Sequence, residues 1–63
     1  VPIIEVKMLK GRTLEQKARL SRTLTDVTVD ILEIRPDAVR VLIHELPPEH
    51  WSVGGISFAE RER

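Results

Sequence analysis

Thr13-Leu14-Glu15-Gln16-Lys17-Ala18-Arg19-Leu20-Ser21-Arg22-Thr23-Leu24-Thr25-Asp26-Val27-Thr28-Val29-Asp30-Ile31-Leu32 is the stretch on which the fold turns. Thr13 with Gln16 three positions on has the pattern of a capping box, which predicts a helix beginning at Leu14. Leu20, Leu24, Val27 and Ile31 then recur at spacings of four, three and four, an apolar stripe of helical period. Lys17, Arg22 and Asp26 are expected on the opposite, polar side. The stripe carries the helix to about Leu32, and Arg35-Pro36 is expected to end it, because a residue before proline is pushed out of the helical region.

Working outward, the chain on either side of this helix reads as strand. From Ile3 to Leu9, Ile4, Val6 and Met8 fall on one face and Ile3, Glu5, Lys7 and Leu9 on the other, the period-two pattern of a half-buried strand. Gly11 breaks it. From Val39 to Leu46, Val39, Val41 and Ile43 alternate with Arg40, Leu42 and His44, and Pro47-Pro48 stops the strand because proline cannot donate to a ladder. Gly54-Gly55 between Val53 and Ile56 predicts a small hairpin. The charged end from Phe58 to Arg63 is expected to be loose. Strand, helix, strand implies an α+β fold: a single β-α-β unit with parallel strands, a right-handed crossover and a short C-terminal hairpin, one domain over residues 1–63.

Such a unit cannot stand alone comfortably. A chain of 63 residues buries only about 60% of the surface its unfolded form exposes. It has no cysteine for disulfides, and two histidines, His44 and His50, are too few for a closed zinc site without carboxylates. A two-stranded sheet also leaves both edges open. Pairing with a second copy would give four strands with two helices on one face, and several such dimers could bury the other face against one another. The sequence therefore predicts a homo-dimer, and from it a higher assembly.

Ten basic and ten acidic residues cancel and are mixed along the chain, which argues against nucleic acid or an anionic membrane as the partner. No apolar run is long enough to span a bilayer and no signal peptide is read ahead of the first strand, so a cytoplasmic location is the expectation. No metal-ligand spacing, phosphate loop, Ser-His-Asp set or paired carboxylates can be read. Gly54-Gly55 lacks the strand-loop-helix setting of a dinucleotide fingerprint. What stands out is Pro2 directly before a strand and two arginines at element boundaries. Arg12 precedes the helix start, where free N–H groups favour an anion. Arg40 opens the second strand, beside the Pro2 end of the first if the two run parallel.

Pro2-Ile3-Ile4, Gly11-Arg12-Thr13 with Glu15-Gln16-Lys17, Val39-Arg40-Val41 and Trp51-Ser52-Val53-Gly54-Gly55 together resemble the 4-oxalocrotonate tautomerase family, nearly end to end and with matching spacings. The resemblance implies a β-α-β subunit assembled as a hexamer, a trimer of dimers. It implies a cofactor-free, metal-free isomerase of aromatic-compound breakdown, acting on a small unsaturated dicarboxylate or oxo-acid. Members move a proton in 2-hydroxymuconate-type dienols to give the α,β-unsaturated ketone, with an amino-terminal proline as base. By this resemblance Pro2 is the catalytic base, Arg12 and Arg40 hold the substrate carboxylates and polarise its oxygen, and Trp51 takes the place of an aromatic, usually Phe, that keeps the site apolar.

The physics fits these roles. A proline amine near two fixed cations and an apolar wall has its pKa lowered by like charge and by desolvation, which poises it as a base. Guanidinium groups bind carboxylates bidentately and stay charged. Arg12 lies a full strand from Pro2, roughly 20 Å or more, so one site using both would draw on two subunits.

Each of these residues also has a plainer reading. Pro2 could simply start a strand, Arg12 be a solvated loop residue, Arg40 pair with Glu45 or a neighbour's acid, and Trp51 pack an interface. His44 and His50 read as surface or interface residues. Two departures from the family pattern stand out. Val1 acylates Pro2 and removes its basicity. A start codon written as valine but initiated with methionine, later removed, would free the amine; a chain truly beginning with valine would be a non-catalytic subunit of a mixed hexamer. At the other end, Arg61-Glu62-Arg63 is shifted from the family's arginine and is assigned no role. A haloacrylate dehalogenase or hydratase relative would want an acid near the hairpin, where Val53 stands, although Glu49 is close in sequence.

Overall fold

The computed structural model describes residues 1–61. Strand β1 (Ile3–Leu9) leads into helix α1 (Leu14–Leu32), and a 3-10 turn at Pro36–Ala38 returns the chain to strand β2 (Arg40–Leu46). The strands pair in parallel, from Ile3 opposite Arg40 to Leu9 opposite Leu46. After a second 3-10 turn at Pro48–His50, β3 (Ser52–Val53) and β4 (Ile56–Ser57) form an antiparallel hairpin that runs into the one-turn helix α2 (Phe58–Arg61). The β-α-β unit and hairpin read from the sequence are therefore present. Among the described residues no helix is long and apolar enough to cross a membrane.

The start of α1 follows the capping rule. The Thr13 hydroxyl accepts from the Gln16 N–H at 3.0 Å, and the Gln16 side chain accepts from the Thr13 N–H at 2.9 Å. Its end at Leu32 is where the stripe predicts it, but the cause of the stop differs. Arg35-Pro36 does not stop the helix; Glu33 does, two residues earlier, by turning left-handed (φ 54°) while its N–H donates to the Val29 carbonyl at 2.9 Å.

The packing of α1 also departs from the stripe. Leu20 and Leu24 are half-buried, but so are Lys17, Ser21 and Thr28, whereas Val27 and Ile31 are 51% and 70% exposed. Lys17, expected on the polar side, turns to the sheet and meets Glu45 of β2 at 2.8 Å. Two strands spaced about 4.8 Å apart are scarcely as wide as one helix with its side chains. They cover part of the apolar stripe and leave its flank bare.

Val39, just ahead of β2, is the sole hydrophobic residue with a buried side chain among those described. The accessible surface is 5158 Å², against about 4,100 Å² for a folded monomer of this mass. The radius of gyration is 15.0 Å, against about 11 Å for a compact chain of this length. On the sheet face away from α1, Ile3 and Leu42 are exposed around a Glu5–His44 pair at 3.1 Å. The helix flank and the open sheet face thus both leave apolar side chains uncovered in the single chain.

Candidate active site

Parallel pairing decides where the candidate residues go. Arg40 follows Val39 into β2 opposite Ile3, and its N–H donates to the Pro2 carbonyl at 3.0 Å. Pro2 and Arg40 thus sit together at the amino-terminal end of both strands. The Arg40 guanidinium folds back so that Nη1 donates to the Asp37 carbonyl at 2.7 Å, which holds it at that end. The ion pair weighed for Arg40 with Glu45 does not form, because Glu45 points to the helix face and is taken by Lys17. Pro2 is half-buried, and Val1 before it is 87% exposed.

Arg12 and Trp51 lie at the opposite end. The Lys10 N–H still donates to the Leu46 carbonyl at 2.9 Å, and the chain then leaves the sheet through Gly11 at φ 132°, a left-handed region that side chains rarely enter. That turn brings Arg12 onto the rim of two open concavities. One, of about 440 Å³, has Lys7, Met8, Leu9, Lys10, Gly11 and Trp51 as its other walls. The second, of about 260 Å³, lies on the helix side between Met8, Gln16, Lys17 and Leu20. Seven residues of extended chain separate Arg12 from Pro2, roughly 20 Å at about 3.3 Å each. Within one chain the sheet joins Pro2 to Arg40 and Arg12 to Trp51, and keeps the two pairs apart.

Trp51 is fixed by a neighbour that the sequence reading missed. Phe58 stacks on it with centroids 5.5 Å apart and planes 10° from parallel, and the Phe58 N–H donates to the Trp51 carbonyl at 2.9 Å. The segment expected to be loose is a helix through Arg61; Glu62 and Arg63 lie outside the described residues. The signal was present as Ser57-Phe58-Ala59-Glu60, a second capping box: the Ser57 N–H donates to Glu60 at 2.8 Å, and the Glu60 N–H donates back to the Ser57 hydroxyl at 3.2 Å. Arg61 then donates to the Val53 carbonyl at 3.1 Å and ties the helix to the hairpin. Lys7 and Lys10, on the concavity wall, were also passed over, since an exposed lysine on a strand or just after it is ordinary. His44 is on the open sheet face with Glu5, and His50 is exposed.

The arrangement has close counterparts among known proteins. Residues 2–61 match the profile of the tautomerase enzyme family. The chain is 35% identical over 63 residues to the 2-hydroxymuconate tautomerase of Comamonas testosteroni, covering all of both proteins. It superposes on a solved structure from work on the 4-oxalocrotonate tautomerase isozymes of Methylibium petroleiphilum with a TM-score of 0.90 and 48% identity, over 97% of this chain and 95% of the other. A heterohexamer 4-oxalocrotonate tautomerase from Chloroflexus aurantiacus J-10-fl gives 0.87 and 43%, over 95% and 97%. With fold and length shared nearly from one end to the other, the chain belongs to the 4-oxalocrotonate (2-hydroxymuconate) tautomerase family and is an isomerase of the tautomerase superfamily.

Proposed function

We propose that this tautomerase converts 2-hydroxymuconate-type dienols to their α,β-unsaturated ketones, with the free amine of Pro2 as general base. Arg40 holds the oxygens next to the reacting hydroxyl, Arg12 binds the distal carboxylate, and Trp51 forms the apolar wall. The observation that carries this reading is the backbone bond from Arg40 to Pro2, which puts the two residues side by side at one end of the sheet, with the guanidinium tied to the Asp37 carbonyl of the adjoining turn. The neutral amine takes the proton of the 2-hydroxyl. The oxygen electrons form the carbonyl at carbon two, the double bonds shift along the chain, and carbon five receives the proton back from the prolinium. Electrons and protons balance within the substrate, so the step calls for no cofactor.

Arg12 reaches that substrate from another copy. The apolar helix flank and the open sheet face leave surface for a homo-hexamer, a trimer of dimers, in which the Arg12 end of one subunit meets the Pro2 end of another. Activity then depends on assembly.

The base exists only where the Val1–Pro2 peptide bond is absent, since an amide nitrogen is not basic. A second reading, a non-catalytic subunit of a mixed hexamer, rests on Val1 and on the likeness to a heterohexameric relative. A haloacrylate dehalogenase or hydratase is less well supported, because Val53 puts an apolar side chain where that chemistry wants an acid. The intact mass of the purified protein, with its amino terminus sequenced, tests the choice. A chain starting at Pro2 that turns over 2-hydroxymuconate supports the proposed reaction; a chain that keeps Val1 and co-purifies with a similar, proline-starting subunit supports the second.

A further inference from the structure

The chain as a whole is neutral, with ten basic and ten acidic residues, yet its two sheet ends are not alike in charge. The concavity at the Arg12 end carries Lys7, Lys10 and Arg12 and no acid on its walls. The ion pairs of the described residues are Lys17–Glu45, Arg35–Asp37 and His44–Glu5, so none of those three cations is neutralised among them. Met8, Leu9 and Trp51 supply the apolar part of the same walls, which strengthens the field of the cations by thinning the water around a bound group. At the other end, Arg40 already spends one N–H on the Asp37 carbonyl, and the Asp37 carboxylate is close by in the same turn.

Resting on the site proposed above, we propose that Lys10, with Lys7 lining the same concavity, is a specificity-determining residue that selects substrates with a carboxylate at both ends over those with one. Lys10 is well placed for this. Its backbone is pinned to Leu46 at the last rung of the sheet, and the Gly11 turn sets Arg12 next to it on the same wall. A monoanion can satisfy the Arg40 end and leaves three cations at the Arg12 end without a counter-charge. A dianion places its second carboxylate among them. Arg12 supplies the directional fork, and Lys10 and Lys7 supply charge without fixed geometry.

Trp51, the sole tryptophan, reports on this concavity by fluorescence. The assembled protein would be titrated with adipate and with hexanoate, six-carbon acids of two charges and one. Wild type should prefer adipate, and the preference should fall by about fivefold in Lys10→Gln, further in Lys10→Glu, and persist in Lys10→Arg. The ratio of kcat/KM for 2-hydroxymuconate over 2-hydroxypenta-2,4-dienoate should move in parallel. Both ratios within about twofold of wild type in Lys10→Gln and Lys10→Glu, at unchanged oligomer size and circular dichroism, would overturn the proposal. A wild-type protein that prefers adipate in this Lys10-dependent way yet turns over neither dienol would overturn the proposed reaction and leave the charge selection standing.

Discussion

At the Pro2 end of the sheet the Arg40 guanidinium is held by the Asp37 carbonyl and its backbone by Pro2, whereas at the far end Arg12 stands on an open rim beside two unpaired lysines among the described residues. One end is built by backbone hydrogen bonds within the β-α-β unit. The other is shaped by a glycine turn, a helix cap and an aromatic pair that flanks the hairpin. In the proposed reaction the first end offers fixed geometry close to the reacting atoms, and the second offers charge and an apolar wall. Roughly 20 Å of strand keeps the two ends from meeting in one chain. In the proposed site, the same parallel register that joins Pro2 to Arg40 calls for a second subunit to supply Arg12.

The largest effect should come from the Pro2 end. Protein retaining Val1 should turn over 2-hydroxymuconate at least about 100-fold more slowly than protein starting at Pro2, the size of a lost general base. Comparable kcat in the two forms would remove Pro2 from the chemistry. Next come the arginines. Arg40→Ala and Arg12→Ala should each lower kcat/KM at least tenfold, about 1.4 kcal/mol, with the Arg40 loss mainly in kcat and the Arg12 loss mainly in KM. Unchanged turnover in both would dissolve the proposed site. The division between chains can be broken separately: co-assembling Arg12→Ala chains with chains that retain Val1 should restore sites that neither possesses alone. If mixing restores nothing, the two ends do not meet across subunits.

Smaller effects sharpen how the Arg12 end is held. Thr13→Ala removes the hydroxyl half of the capping box and should cost about 1 kcal/mol in denaturant melts at fixed protomer concentration. Because Thr13 follows Arg12, it should also raise KM for a dicarboxylate while leaving kcat alone. Lys17→Met removes the pair with Glu45, whose side chains are 25% and 26% exposed, and should cost less still, under about 1 kcal/mol. A larger loss in kcat than in KM for either variant would mean that this end also shapes the reacting geometry.

Much of this was legible because it is local. Period-two alternation marks β1 and β2, Thr13 and Gln16 mark the start of α1, and Gly54-Gly55 marks the hairpin; each depends on residues a few positions apart. The proposed set of Pro2, Arg12, Arg40 and Trp51 rests on a resemblance in residue type and spacing. The errors were of two kinds. The Ser57–Glu60 box was a local signal overlooked, and with it went α2 and the Phe58 stack on Trp51. The exposure of Val27 and Ile31 and the inward turn of Lys17 were not local at all. They follow from the width of a two-stranded sheet, which periodicity does not encode.

By itself the sequence determined β1, α1, β2 and the hairpin and their order, since backbone propensity, capping and alternation act within a turn or a strand. Only the tertiary structure decided the partners. Pairing β1 with β2 at the register of Ile3 opposite Arg40 placed one arginine on Pro2's carbonyl and sent the other to a wall of lysines at the far end. A one-step change in that register would turn Arg40 to the other face, because side chains alternate along a strand. That choice rests on contacts between residues some forty positions apart, which no short window of sequence contains.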